Sequence, residues 1–489
     1  MKKAPFYILL IWVAAGSGSC KKWLNLKPEN GIVGDEFWNT KEQVDAAVTG
    51  IYTSLQLNTE LFFIWGEARA DMVTPAVRAS QDELDMVNLN MLPNNSFVNW
   101  RSFYQSINYC NTVIQMAPGV LQKDNTFTRE HLNRAVGEAQ AIRALLYFYL
   151  VRSFGEVPLK LDATLSDKNI QNLPKSSSAE VLEQIVSDLR NAEAGLPMTY
   201  GAIDQDKGRV TRYAVNAILA DVYLWMDRYE DAIRECDKII TSNKFSLVSG
   251  FNFFTSIFYL GNSPESIFEL QFDLQRLNPF YTMHHPDNRR WSASQLLPEN
   301  VYGIDMVSPV PQADARGDER SFRSTDFTIW KYIGADDNGD NFRERDQSFA
   351  HWIFYRYADI LLLKAEAMNE MNQPLEASRI VKTIRNRANA IDFKIMDSLN
   401  KEPMSVYILE ERQRELAFEG KRWYDVLRNA KRNDYRRRQL LLDLAARSMP
   451  ADRKQAAFNR LLDNNSHYFP VYFYELQTNK LLEQNPFYK

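Results

Sequence analysis

The densest grouping of side chains capable of chemistry is residues 408–428, ILEERQRELAFEGKRWYDVLR, where carboxylates and guanidiniums alternate. Such pairs do acid–base work when burial or a neighbouring like charge splits their pKa values. Here, however, Leu409, Leu416 and Ala417 recur at helical spacing. Glu410/Arg414, Glu411/Arg414 and Arg412/Glu415 stand three or four residues apart, where opposite charges meet on one helix surface. Gly420 suits the left-handed position that ends a helix, and Arg422, Trp423 and Val426 restart the pattern. The segment therefore reads as an architectural clamp, since charge networks on helices are mostly structural.

Metal and cofactor chemistry find little support. His131, His284, His285, His351 and His467 form no HExxH or other zinc spacing, and His284 and His285, before Pro286, read as polar loop surface. Asp336, Asp337, Asn338 and Asp340 around Gly339 have the composition of a calcium loop without its spacing or its terminal glutamate, which makes them a solvated turn. The chain carries no Walker loop, Rossmann fingerprint or GxSxG elbow. No metal and no cofactor is expected. A net charge of −4 gives no reason to expect nucleic acid. Cys110 and Cys236 fall on helical patterns and read as buried free thiols, so disulfides are not the framework.

Binding chemistry is better represented. Sugars are held by laying the C–H face of a pyranose on an aromatic ring while amides, carboxylates and arginines bond the hydroxyl rim. Aromatic residues make up 12% of the chain, more than most cores need. Trp65, Trp100, Tyr281, Trp291, Tyr302 and Trp330 stand in or beside irregular segments, accompanied by Asp71, Arg78, Asn288 and Arg289. These ten are the candidate ligand-binding residues, although each aromatic taken singly is as compatible with a ring packed inward. Trp38, Trp225, Trp352 and Trp423 lie in helical or strand patterns and are assigned to the core. A glycosidase needs two carboxylates flanking its sugar, and 62 acidic residues leave such a pair open.

The elements that must position these residues are mainly helical. Ala220 precedes Ala232 by the same interval as Ala365 precedes Ala377, and small residues there let two antiparallel helices approach closely, as in tetratricopeptide repeats. Val215, Ile218, Leu219, Val222 and Trp225 face Ile233, Cys236 and Ile240; Leu361, Ala365 and Met368 face Ile380, Val381 and Ile384. A third pair is split between a helix carrying Val136 to Tyr149 and another over 177–193, where Ser177 and Glu180 make a capping box. Further helices are expected over 40–55, with a box of Thr40 and Gln43, and over 100–116. Segments 60–99 and 251–350 lack sustained period and carry short strand-like runs such as 267–271. Long irregular insertions on a rigid scaffold are where binding usually sits.

The clamp closely resembles the ERxxELAFEGxRxxDxxR signature of the SusD/RagB family, nutrient-binding outer-membrane lipoproteins of Bacteroidetes. FGEVPL at 154–159, KGRVTRYAVNAILADVYL at 207–224, SPESIFELQ at 263–271, RYADILLLKAEA at 356–367 and IRNRA at 384–388 resemble further family runs in family order, as does the tail at 469–488, where Phe487 replaces the usual glycine. The resemblance implies a mainly α, tetratricopeptide-like scaffold with long loop insertions and a few short strands. It also implies non-catalytic binding of an oligosaccharide and delivery to a SusC-like TonB-dependent transporter. Rival readings are an oligopeptide-binding member of the same family, a surface glycan-degrading enzyme, and a purely structural helical adaptor. The family's ligand residues follow no fixed motif and do not transfer position by position.

The start of the chain agrees with that setting. Lys2 and Lys3, an apolar run over 6–15 too short to span a bilayer, and small residues over 16–19 have the layout of a secretory signal. Cys20 is then the expected lipidation site, anchoring the protein to the outer membrane and facing the exterior; an ordinary cleaved signal is the alternative. The organisation expected is a lipoprotein signal over 1–19, an N-terminal part with helix-pair repeats over 20–250, and a C-terminal part over 251–489. That last part holds the 251–350 insertion and the final helix pair.

Overall fold

The computed structural model describes residues 37–166, 170–305, 312–391 and 394–489, so the leader and Cys20 lie outside the described residues. Thr40 opens the helix Lys41–Gln56 by accepting from the Gln43 backbone while the Gln43 side chain reaches back, and Ser177 and Glu180 do the same for Ser178–Gly195. Both boxes satisfy amides that a helix start leaves without partners.

Three helix pairs form the scaffold: Arg129–Phe154 with Ser178–Gly195, Arg212–Trp225 with Tyr229–Ile240, and Tyr357–Glu370 with Pro374–Arg387. Ala220, Ala232, Ala365 and Ala377 are all fully buried, as close approach of the paired helices requires. Tyr229–Ile240 also packs on Tyr357–Glu370, so the second and third pairs run on into one array, and Lys364 reaches Asp237 at 2.6 Å across that seam. The first pair is pinned inside by Arg143, whose fork meets Asp188 at 2.7 and 2.8 Å. Cys110 and Cys236 are buried free thiols.

Two helices interrupt a segment expected to be irregular. Thr59–Glu67 buries Phe62, Phe63, Ile64 and Trp65 on every side, so it has no polar stripe and hence no readable period; Gln81–Val87 is only seven residues long. Among the described residues all strand pairing is two-stranded and antiparallel. Val73–Pro75 pairs with Trp291–Ala293, Ser266–Leu270 with Trp352–Arg356, Ile304–Asp305 with Gln312–Ala313, and Phe322–Arg323 with Thr328–Ile329. The first of these ladders fastens the 71–80 loop to the 251–350 insertion.

The clamp is structural but lies inside the protein and not along a helix surface. Arg316 bonds Glu411 and Glu415 at 2.6 and 2.8 Å, and Arg356 bonds Glu415 and Glu419 at 2.6 and 2.9 Å. Arg412 turns away from Glu415 to Asp425 and Asp359, at 2.9 and 2.8 Å. Of the three pairs expected from spacing, Glu411–Arg414 forms, at 3.2 Å, while Glu410 is taken by Lys394. Other segments enclose the helix Lys401–Glu415, and once its charges are buried they need partners at short range whatever the sequence separation. The helix stops at Glu415 with Leu416 as its cap, so Gly420, left-handed at φ +70° as expected, lies in the turn beyond the helix and not at its end.

Candidate ligand-binding face

Six of the ten candidate residues belong to the scaffold. Trp65 is fully buried, stacked on Phe103 at 4.4 Å, with its indole N–H donating to the Phe97 carbonyl at 2.8 Å. Trp100 packs on Phe154 at 4.9 Å and is buried. Trp291 sits in a strand behind Phe63, with no exposed surface. Trp330 is equally buried against Phe254 and Phe342 and donates to the Asp336 carbonyl at 2.9 Å. Tyr302 is buried with its hydroxyl on the Arg414 carbonyl, at 2.9 Å. Asp71 is buried in a two-bond pair with Arg422, at 2.8 and 3.0 Å, and Arg447 stands 3.2 Å away.

These residues correct the sequence expectation. An irregular backbone still surrounds a core, and its largest rings contribute most to burial. His284 is a similar correction: it is fully buried between Phe63 and Phe280, at 5.0 and 5.8 Å, and burial pulls its imidazole down to about 3. The Asp336 turn behaves as expected, its carboxylate accepting the amides of Asn338, Asp340 and Asn341.

The other four, Arg78, Tyr281, Asn288 and Arg289, come together on one accessible face. Arg78 donates to the Asn288 side-chain oxygen at 2.9 Å, bridging the 71–80 loop to the insertion. Tyr281, on the short helix Phe280–His284, stacks on His285 at 4.4 Å with an interplanar angle of 14°. His285 meets the edge of Phe342 at 4.8 Å, and the Arg323 guanidinium covers Phe342 at 4.4 Å. Arg323 then grips Asp326 at 2.9 and 3.1 Å, and Arg289 donates to the Asp326 carbonyl and the Thr328 hydroxyl at 2.8 and 3.1 Å.

His285, Phe342, Arg323 and Asp326 are the members sequence reasoning missed. A weak signal existed in their shared membership of an insertion rich in aromatics and charges. Burial resists ionisation of Asp326, but the Arg323 and Thr328 hydrogen bonds outweigh it and keep the carboxyl below its ordinary value. Burial and the Arg323 charge lower the His285 pKa against the pull of Asp287, so at neutral pH its ring is uncharged and both donates and accepts. The face thus offers a ring stack edged by amide, imidazole, carboxylate and guanidinium groups, the set that a sugar's two surfaces call for.

Residues 22–224 match the family model described as "Starch-binding associating with outer membrane", and residues 287–488 match that of the "SusD family". SusD-like protein P38 of Formosa agariphila is 29% identical over 481 residues, covering 86% of this chain and 90% of its own length. A SusD-like protein of Bacteroides ovatus is 25% identical over 450 residues, covering 83% and 78%. Among solved structures, a SusD superfamily protein from Bacteroides thetaiotaomicron superposes with a TM-score of 0.73 at 23% identity, covering 92% of this chain and 99% of that one. A SusD-like protein from Bacteroides fragilis also superposes at 0.73, with 21% identity, covering 93% and 98%. With matches at both ends of the chain, relatives along most of its length and a shared mainly helical fold, the chain belongs to the SusD family.

Proposed function

We propose that the protein binds an oligosaccharide at the outer membrane without cleaving it and hands it to a SusC-like TonB-dependent transporter. The observation that carries this reading is the Tyr281–His285 stack, edged by Phe342, in the same segment as Asn288 and Arg289 and linked through Arg323 on Phe342 to Asp326. A pyranose laid on the stack would leave its equatorial hydroxyls toward those polar groups. Family membership supports the outer-membrane setting and the binding role. Among the described residues no helix is long and apolar enough to cross a membrane, and attachment would come from lipid on Cys20.

Binding of glycans to the purified protein tests the reading, with Tyr281→Ala as the control on the face. Saturable binding that the substitution weakens, with no new reducing ends after incubation, supports it. Release of shorter products would replace it with a glycan-degrading enzyme, and binding of oligopeptides alone with the peptide-binding alternative. Purification in mild detergent from the native membrane should bring down a TonB-dependent barrel.

A further inference from the structure

The guanidiniums on this face outnumber the carboxylates that neutralise them within it. Arg323 and Arg289 converge on one carboxylate, Asp326, the second standing 3.6 Å from it. Asp326 also accepts the amide and hydroxyl of Thr328, so it has little capacity left for either cation. Arg78 is exposed and, among the described residues, its side-chain partner is the neutral Asn288 amide. Behind the face, Arg343 is buried and, among the described residues, its acceptors are the backbone carbonyls of Phe258 and Tyr259, with the guanidinium over Tyr259 and Phe349 at 4.5 and 4.9 Å.

Of the other carboxylates near these arginines, Asp287 and Glu344 are exposed, as are Glu319 and Asp340 beside Gly339, whose carbonyl accepts from Arg323, and among the described residues none of the four lies within ion-pair distance of an arginine. In water their attraction for the cations is screened, whereas a charge held in low dielectric, such as that of Arg343, keeps its field.

We propose that the saccharide taken here is acidic, its carboxylate or sulfate held by Arg78 and Arg289 beside the Tyr281–His285 stack. The inference rests on the glycan-binding reading above and narrows it. A guanidinium bonds a carboxylate or sulfate through two parallel N–H groups, and the exposed Arg78 can turn both to an oxyanion by exchanging its bond to Asn288. A neutral sugar offers it hydroxyl acceptors alone, without an ion pair or the two parallel bonds of an oxyanion.

The test is calorimetry of the purified full chain in detergent against three probes of matched length: a uronic acid oligomer, a sulfated oligosaccharide and a neutral oligosaccharide. One acidic probe should bind at least about tenfold more tightly than the neutral one at low salt, and the gap should close as sodium chloride is raised. Which acidic probe wins tells carboxylate from sulfate. Arg78→Gln should weaken the acidic probe several-fold more than the neutral one and so remove most of the preference, with the melting temperature unchanged, and Arg78→Lys should restore part of it. Equal binding of acidic and neutral probes, insensitive to Arg78→Gln, would overturn the acidic-ligand inference and leave glycan binding standing. Failure of all three to bind would remove the glycan-binding reading and this inference with it.

Discussion

Asp71 holds Arg422 through two hydrogen bonds, of 2.8 and 3.0 Å, across 351 residues of chain. The pair joins the start of the loop that carries Arg78 to the restart of the charged clamp. Burial disfavours the Asp71 carboxylate, but the Arg422 charge outweighs it and holds the carboxyl below its ordinary value. Asp71→Ala should therefore destabilise the protein by about 3–5 kcal/mol, because it leaves the Arg422 guanidinium buried without its anion. The contribution is an acid-side one: it is present above the unfolded pKa of 3.8 and is lost as pH falls through the lower folded value. Thermal unfolding of wild type and variant should differ most above pH 4, and the gap should narrow as pH falls below it.

Glu67 carries the opposite sign. Its carboxylate accepts the amides of Gly420 and Lys421 at 2.8 and 3.2 Å, yet burial dominates and pushes the carboxyl up to about 8. A raised acid stabilises the fold fully below its unfolded pKa of 4.5, and that stability is lost as pH rises through 8. Glu67→Gln retains an acceptor for both amides and cannot ionise, so it should outlast wild type increasingly between pH 6 and 9. Lys331, pulled down to about 8 by burial, gives a slope of the other sign in both proteins. The difference between the two melting curves reports Glu67 together with its interaction with the Lys331 charge, which favours the carboxylate; a difference independent of pH would show that the carboxyl is already ionised at pH 6.

Gly420 has no substitute at its position. At φ +70° an added Cβ would lie 2.7 Å from the Phe62 carbonyl oxygen and 3.0 Å from the Trp352 ring. Gly420→Ala should destabilise by about 2–4 kcal/mol, combining left-handed strain with overpacking. Chemical denaturation should show the loss in midpoint with an unchanged slope.

The helix pairs were legible because a two-sided helix writes its buried stripe into the sequence: Ala220 and Ala232, or Thr40 and Gln43, announce their roles by spacing alone. Thr59–Glu67 was hidden for the converse reason, being apolar all round. Within the insertion no period says which way a ring faces. Neighbouring His284 and His285 show the limit, one sealed among Phe63 and Phe280 and the other stacked on Tyr281 at the surface. Arg78, Tyr281, Asn288 and Arg289 were identified by residue type and texture, as were Trp65, Trp291 and Trp330. Burial in the fold separates the two groups, sealing Trp65, Trp291 and Trp330 inside while Arg78 stays exposed and Tyr281, Asn288 and Arg289 partly so.

That separation is open to experiment in Trp330 and Tyr281, two aromatics from the same insertion. Trp330→Ala empties a fully buried site and strands the Asp336 carbonyl, so it should lower stability by about 3–5 kcal/mol. Its ligand affinity, measured well below the lowered melting temperature, should fall only as far as the turn over 336–341 is disturbed. Tyr281→Ala removes a partly exposed ring whose packing is chiefly the His285 stack, and its melting temperature should stay within a degree or two of wild type. Glycan affinity should nevertheless drop about tenfold, the value of one aromatic stacking contact with its buried area. A stable Tyr281→Ala protein with undiminished affinity would move the binding surface away from this face, whatever the behaviour of Trp330.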